Sequence, residues 1–298
     1  MPLEISFGLT ADPFDPPGSD GERLNGRALR IDQDGALERL FCPTLAGIAE
    51  GTAQVRQAIW GANEANGPPR RAAICLVLGI MGSGKTTFAA KVVKQVMGCP
   101  APRGDGDWST HEVSFPRAGA PVDPLSMRQH FAALQEILTR AHGNAPASAI
   151  VFVRNLPAGG IDELVDLYNA FAPRIFMVIV ATTSDDSLKN KELYAYGPRM
   201  VLVERGRADE ADVRRFMEWR LDKFRSEPIL QPLAIEPDLQ LFPFDASVPA
   251  TVAGSGGRSL RAVGHNLSLR LETAEGELGG IRHVCECTAA ELRQRLIR

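Results

Sequence analysis

A glycine-rich octapeptide, GIMGSGKT at residues 79–86, constrains the fold of this 298-residue chain more than any other feature. It follows a short apolar run from Ala72 to Leu78 and precedes a helical pattern from about Lys85 to Met97. The apolar run predicts a buried strand, and a strand that turns through glycines into a helix is the local arrangement of a phosphate-binding loop. We therefore predict that this segment holds the phosphates of a nucleotide.

Each residue type in the octapeptide has a physical task at a triphosphate. Glycines let successive backbone N–H groups point at phosphate oxygens, helped by the positive end of the following helix. Lys85 is predicted to reach the β and γ phosphates, and the Thr86 hydroxyl is predicted to hold Mg²⁺. Thr87 is expected to cap or pack. With ATP and Mg²⁺ as the expected ligands, the predicted nucleotide-binding set is Gly79, Met81, Gly82, Ser83, Gly84, Lys85, Thr86 and Thr87.

Further apolar runs alternate with helical patterns along the middle of the chain. The runs lie at 148–153, 175–181 and 200–203, and the helical patterns lie near 124–141 and 162–171. Such alternation predicts an α/β fold with a parallel sheet between helices. We expect an extended arm at residues 1–42, a nucleotide-binding core at 43–206 and a small, all-helical lid domain at 207–298.

Charge and composition narrow the classes of partner. A formal net charge of -3 and a pI near 6.0 give no general attraction to nucleic acid, so such a partner is possible but unsupported. The opening residues lack the pattern of a secretory signal, and no apolar stretch reaches the roughly 20 residues of a membrane helix, so we expect a cytoplasmic protein. His283, Cys285 and Cys287 are potential metal ligands, but a short strand with ordinary side chains is the simpler interpretation.

Beyond the loop, the order of elements over residues 43–275 resembles the AAA+ ATPases, particularly their origin-recognition and transposition-regulator branch. The second motif of that family is an apolar strand ending in Asp-Glu, which orders Mg²⁺ and polarises water. Here the matching strand, AIVFVRN, ends in Arg154 and Asn155. The resemblance therefore implies an ATPase with slow or impaired hydrolysis, with Asn155 at the catalytic position. Asp162 and Glu163 follow, and the acidic first turn of a helix explains them more simply.

The resemblance also implies residues that sense the γ phosphate. Thr182, Thr183 and Ser184 end the run at 175–181, and Thr183 is our choice for the family's first sensor. Arg199 precedes the next run, where the family places an arginine that reaches the nucleotide of an adjacent subunit. Such an arginine neutralises the charge that develops on the transferred phosphoryl group.

The sequence leaves the roles of four further residues undecided. The segment GGRSLRAVGHNLSL is similar to the family's second sensor, with Arg258 and Arg261 as candidates to fold over the nucleotide. If the strands are misaligned, Asp185 or Asp186 becomes the acid that orders Mg²⁺.

Three functions fit these residues. The first is an ATP-dependent switch that forms homo-oligomers or recruits a partner protein. The second is a small-molecule kinase, since GSGKTT before a helix also occurs in such enzymes. The third is a nucleotide-binding scaffold that does not hydrolyse, supported by the altered second motif.

Overall fold

The computed structural model describes residues 9–14, 40–61, 67–116, 123–143, 147–190, 199–225, 240–241, 244, 246–254 and 259–272. These residues divide into two compact units. One contains the described residues between 47 and 206, and the other contains residues 9–14, 40–46 and the described residues from 207 onward. His283, Cys285 and Cys287 lie outside the described residues.

A parallel sheet of five strands forms the centre of the first unit. Its spatial order is β2-β3-β4-β1-β5, and every neighbouring pair is parallel. Because all strands run the same way, their carboxyl ends meet at one edge. The strands are β1 Ala73–Gly79, β2 Ser109–Ser114, β3 Ala147–Leu156, β4 Ile175–Thr183 and β5 Met200–Arg205.

Helices cover both faces of this sheet. From β1 the chain crosses β4 and β3 to reach β2 at the far edge, and then returns through β3 to β4. Because crossovers between parallel strands are right-handed, connections that travel in opposite directions place their helices on opposite faces. Accordingly α2 lies on one face, and α3 and α4 share the other. Helix α1 precedes β1 and packs on the same face as α2, because Gly51 of α1 lies against Phe88 of α2. These helices are α1 Ile48–Ile59, α2 Lys85–Met97, α3 Pro124–His142 and α4 Ile161–Phe171.

Alternation along the strands supplies a core on each face. Val151 and Val153 of β3 pack beneath α3 and α4, together with Leu134 and Leu164. On the other face, Phe88 of α2 is buried. Parallel strands buried on both faces read as continuous apolar runs, which is why β1, β3 and β4 were predictable.

The predicted α/β fold with one parallel sheet is confirmed. The predicted helix at 85–97 has the bounds of α2, whereas the predicted strands at 148–153 and 175–181 extend further in β3 and β4. Strand β2, with the sequence STHEVS, was not predicted. Its side chains are half-buried or exposed, because β2 is an edge strand, and polar residues then suffice.

The second unit contains helices α5 Glu210–Phe224, α6 Val248–Gly254 and α7 Leu260–Glu272. Asp209 caps the start of helix α5, and its side chain accepts a hydrogen bond from the Asp212 N–H at 2.7 Å. The Phe14 ring lies 6.0 Å from that of Phe216, so residues of the N-terminal segment pack within this unit. The three-part division of the chain stays a prediction. No helix in the described part of the chain has the length and apolar character needed to cross a membrane.

Candidate nucleotide site

The glycine loop lies at the carboxyl edge of the sheet, between β1 and α2. Gly82 and Gly84 have φ values of 81° and 85°, which L side chains rarely adopt, so both positions require glycine. Neighbouring strands β1 and β4 are followed by connections that leave in opposite directions. In open α/β sheets the crevice at such a position is where ligands bind.

Gly79 is the last residue of β1 and meets the end of β5 at close range. A Cβ atom on Gly79 would lie 2.6 Å from the Arg205 carbonyl oxygen and 2.6 Å from Ser83 Oγ. Since the first of these is a backbone atom, a side chain at position 79 would displace the loop or the strand. Four residues earlier in β1, burial raises the pKa of the Cys75 thiol to about 12, so this cysteine is an uncharged core residue.

Lys85 brings a buried positive charge to the loop. The residue is only 6% exposed, and its Nζ donates to the Ile80 carbonyl at 3.1 Å. Ser83 is 2% exposed, and its Oγ has no hydrogen-bond partner among the described residues. A buried hydroxyl without a partner costs free energy, and a phosphate oxygen would satisfy it.

The start of α2 also suits an anion. Gly84 precedes the helix, no side chain within the described residues caps it, and its first turn contains no acidic residue. The first N–H groups of a helix and its dipole favour negative charge at this end. Thr86 and Thr87 in that turn are half-buried, whereas Met81 in the loop is 58% exposed. The described residues thus fit a phosphate chain.

The second motif is occupied by a buried arginine at the carboxyl end of β3. Arg154 is 8% exposed and forms an ion pair with Glu112 of β2. Its Cζ atom also lies 5.7 Å from the centre of the Phe152 ring. A guanidinium cannot coordinate Mg²⁺, so the second motif does not fit the metal site implied by the resemblance. The role of the Thr86 hydroxyl as a metal ligand stays a prediction.

Asn155, one of the predicted catalytic residues, lies in an irregularity between β3 and β4. The pairing runs from Val153 with Ala181 to Leu156 with Thr183, so β3 has one extra residue there. Asn155 has a φ of 54°, the only positive value among the described non-glycine residues. Its Nδ2 donates to the Phe115 carbonyl at 3.2 Å, so its amide supports the end of β2.

The end of β4 contacts both β3 and the loop. Thr183 is completely buried, and its hydroxyl donates to the Leu156 carbonyl at 2.9 Å and accepts from the Asp185 N–H at 3.1 Å. Its single proton is therefore used within the sheet. The exposed Ser184, next in the chain, donates instead to the Gly79 carbonyl at 2.9 Å. The sensing role of Thr183 stays a prediction, and Ser184 is the member of this segment that touches the loop.

The two alternative acids follow directly. The Asp185 carboxylate accepts hydrogen bonds from the Ser187 N–H at 3.1 Å and the Ser187 hydroxyl at 2.6 Å. Asp186 pairs with Lys189 at 3.2 Å, and this hydrogen bond is the main reason that the pKa of the lysine is raised. Both acids therefore organise the short 3₁₀ helix Asp186–Asn190 and its first turn.

Arg199 lies at the amino ends of the strands, whereas the loop of its own chain lies at their carboxyl ends. The Ile74 N–H donates to the Arg199 carbonyl at 2.9 Å, near the amino end of β1. Gly79 is five residues further along that strand, which corresponds to about 17 Å. The structure does not bring Arg199 and the loop together in one subunit.

Three of the remaining residues singled out in the sequence lie in described helices, and one does not. Arg261 is exposed in the first turn of α7, and Arg258 lies outside the described residues. Asp162 and Glu163 do occupy the first turn of helix α4.

Sequence reasoning missed two residues near the site. Glu112 pairs with the second-motif arginine, but it lies in a polar strand that carries no apolar signal. Arg205 is 7% exposed beside Gly79, two residues past the predicted end of its strand at Val203. Only the spatial order of the strands reveals either contact.

No known family profile matches this sequence. Similar solved structures include the Orc1 protein of Aeropyrum pernix in complex with DNA, with 16% identity, a TM-score of 0.43 and coverage of 86% of this chain and 64% of that chain. A RuvB variant from Thermotoga maritima has 13% identity and a TM-score of 0.39, with coverage of 86% and 64%. A Rhizobiales Trip13 structure has 13% identity and a TM-score of 0.39, with coverage of 89% and 84%. This chain thus spans 64% of the length of the Orc1 and RuvB structures. Similarity at this level carries no functional conclusion.

Proposed function

We propose that this chain is an AAA+-type protein that binds ATP and assembles according to nucleotide state, with slow or impaired hydrolysis. The observation that carries the proposal is the loop itself. It combines glycines in the left-handed conformation, a buried lysine, a buried hydroxyl without a partner among the described residues and an uncapped helix start at one edge of the sheet. These groups all favour a phosphate chain.

The choice of ATP rests on the family resemblance. Mg²⁺ would be held by the Thr86 hydroxyl and would neutralise part of the charge on the β and γ phosphates. The protein groups that bind and orient the phosphates are the loop N–H groups and the Lys85 ammonium. We expect the protein to act in the cytoplasm.

Slow hydrolysis follows from the chemistry at the end of β3. Hydrolysis needs a group that orients and polarises the attacking water, and a carboxylate usually does so. At the corresponding positions this chain has Arg154, which is paired with Glu112, and Asn155, whose amide nitrogen donates to Phe115. Neither side chain is a base at neutral pH.

Assembly is supported by the position of Arg199. Its Cα lies at the amino edge of the sheet, about 17 Å from the loop of its own chain, and the side chain is exposed. An arginine there reaches a γ phosphate only if that phosphate is bound to another subunit. The nucleotide site is then shared between two chains.

Light scattering coupled to size-exclusion chromatography tests this function. We expect the mass of the wild-type protein to increase when a slowly hydrolysed ATP analogue is added. Lys85→Ala should abolish the increase by preventing binding. Arg199→Ala should still bind the analogue but assemble less. A wild-type protein that stays monomeric while saturated with nucleotide would contradict the proposal.

A second candidate is a nucleotide-binding scaffold without hydrolysis, which the Arg154–Glu112 ion pair specifically favours. A sensitive phosphate-release assay separates the two functions when wild type is compared with Lys85→Ala. Release above the rate of the variant supports a slow ATPase, and equal rates support a scaffold. The kinase alternative gains no support from the described residues.

A further inference from the structure

The ion pair at the end of β3 lies on the same face of the sheet as the phosphate-loop helix. Val151 and Val153 belong to the core beneath α3 and α4, so Phe152 and Arg154 project from the opposite face, which α2 covers. The contact between the Arg154 guanidinium and the Phe152 ring agrees with this placement. A charge-neutral pair therefore replaces the negative charge that the resemblance implies.

The missing carboxylate changes how strongly the site depends on a metal ion. One strand, β4, separates β3 from β1, so the second motif lies about 10 Å from the strand that carries the loop. In a site with an acid there, removal of Mg²⁺ leaves the carboxylate facing the phosphates, and the two repel. Two unit charges about 10 Å apart, one on the carboxylate and one on the phosphates, repel each other by on the order of 1–2 kcal/mol at an effective dielectric constant of about 20. That energy changes a dissociation constant on the order of tenfold. With Arg154 already paired to Glu112, that penalty is absent.

We propose that this site binds a nucleoside triphosphate with little dependence on Mg²⁺, because the Arg154–Glu112 pair stands where a metal-ordering carboxylate is expected. The inference rests on the proposed nucleotide binding and adds that the triphosphate binds whether or not Mg²⁺ accompanies it. The charges of that ligand are met by Lys85 and the N–H groups at the start of α2.

The other acids near this edge are held by local groups. Asp185 accepts two hydrogen bonds from Ser187, and Asp186 is paired with Lys189. Lys189 also lies 3.5 Å from Glu204 at the end of β5. Both carboxylates are thus engaged by residues of the same short segment.

Calorimetry on the full chain tests the inference by comparing ATP binding in excess Mg²⁺ with binding in EDTA at equal ionic strength. We expect the dissociation constant of the wild-type protein to differ by less than about threefold between the two conditions. Any larger weakening in EDTA would overturn the inference. In that event, loss of the Mg²⁺ dependence in Asp185→Asn would show that the acid lies after β4.

A matched pair of double variants isolates the charge. Glu112→Gln with Arg154→Asp places one carboxylate on β3 and should make binding weaker by about tenfold or more in EDTA than in Mg²⁺. Glu112→Gln with Arg154→Met carries no charge and should behave like wild type. Circular dichroism checks that both variants fold. If the aspartate variant is unfolded, the wild-type comparison alone decides.

The outcomes also separate this inference from the proposed function. A wild-type protein that binds ATP only with Mg²⁺ contradicts the metal-independent site and leaves the nucleotide site intact. A wild-type protein that binds ATP in neither condition contradicts both. Lys85→Ala, which should bind in neither condition, supplies the baseline.

Discussion

The hydroxyl of Ser184 donates a hydrogen bond to the carbonyl oxygen of Gly79 across a distance of 2.9 Å. This contact joins the residue after β4 to the last residue of β1, where the glycine loop begins. Thr183, one residue earlier, holds Leu156 of β3 at 2.9 Å. Two adjacent hydroxyl groups therefore tie the ends of β3, β4 and β1 together. We therefore expect that a substitution or displacement at the end of β4 alters the position of the loop through the Ser184 hydrogen bond.

Ser184→Ala is expected to weaken ATP binding by about twofold to tenfold, the effect of losing one hydrogen bond that orders the loop. Isothermal titration calorimetry measures the change. Thr139→Ala removes another exposed hydroxyl that bonds a backbone carbonyl, in helix α3, and should leave the affinity unchanged. Equal affinities for all three proteins would show that the Ser184 contact does not order the site.

Gly79→Ala should destabilise the first unit and distort the loop. The added Cβ would lie 2.6 Å from the Arg205 carbonyl oxygen, and backbone cannot move aside as cheaply as a flexible side chain. Overpacking of this kind typically costs about 1–3 kcal/mol. Gly206→Ala is the matched control, because a Cβ on Gly206 meets nothing within 4 Å. Chemical denaturation should show a clear loss for the first variant and less than about 0.5 kcal/mol for the second.

The loop and its helix could be predicted from the sequence because their signals are local. Glycines at 79, 82 and 84 and the apolar run before them lie next to each other in the chain. The Arg154–Glu112 pair could not be predicted, because the two residues meet only after β2 and β3 pair at the far side of the sheet. For the same reason the sequence could not show that Thr183 faces β3 while Ser184 faces the loop.

Lys85→Ala is expected to reduce ATP binding below detection by calorimetry, because the ammonium is the buried positive side chain of the loop. The folded structure should persist, since burying a charged lysine is itself unfavourable and alanine removes that cost. Lys94→Ala, at the other end of the same helix, should keep wild-type affinity. Unchanged affinity in Lys85→Ala would reject the assignment of the loop as the nucleotide site.

Two histidines near the β2 edge predict how stability depends on pH. The Ser109 hydroxyl lies 2.8 Å from His142 Nε2 and 3.2 Å from His111 Nε2. Burial, and then the nearby His142, lower the pKa of His111 from its ordinary value of 6.5, and burial lowers that of His142.

Because both values are lowered on folding, the unfolded chain takes up protons first as the pH falls below 6.5. The free energy of unfolding should therefore decrease as the pH falls from 6.5 through the lower folded values, with no contribution from this pair well above 6.5. Urea denaturation at about pH 7.5 and about pH 5.5 measures the difference. His111→Gln with His142→Gln should reduce the decrease, whereas His265→Gln, which changes an exposed histidine in α7, should not. An identical decrease in both variants would assign the pH dependence to other groups.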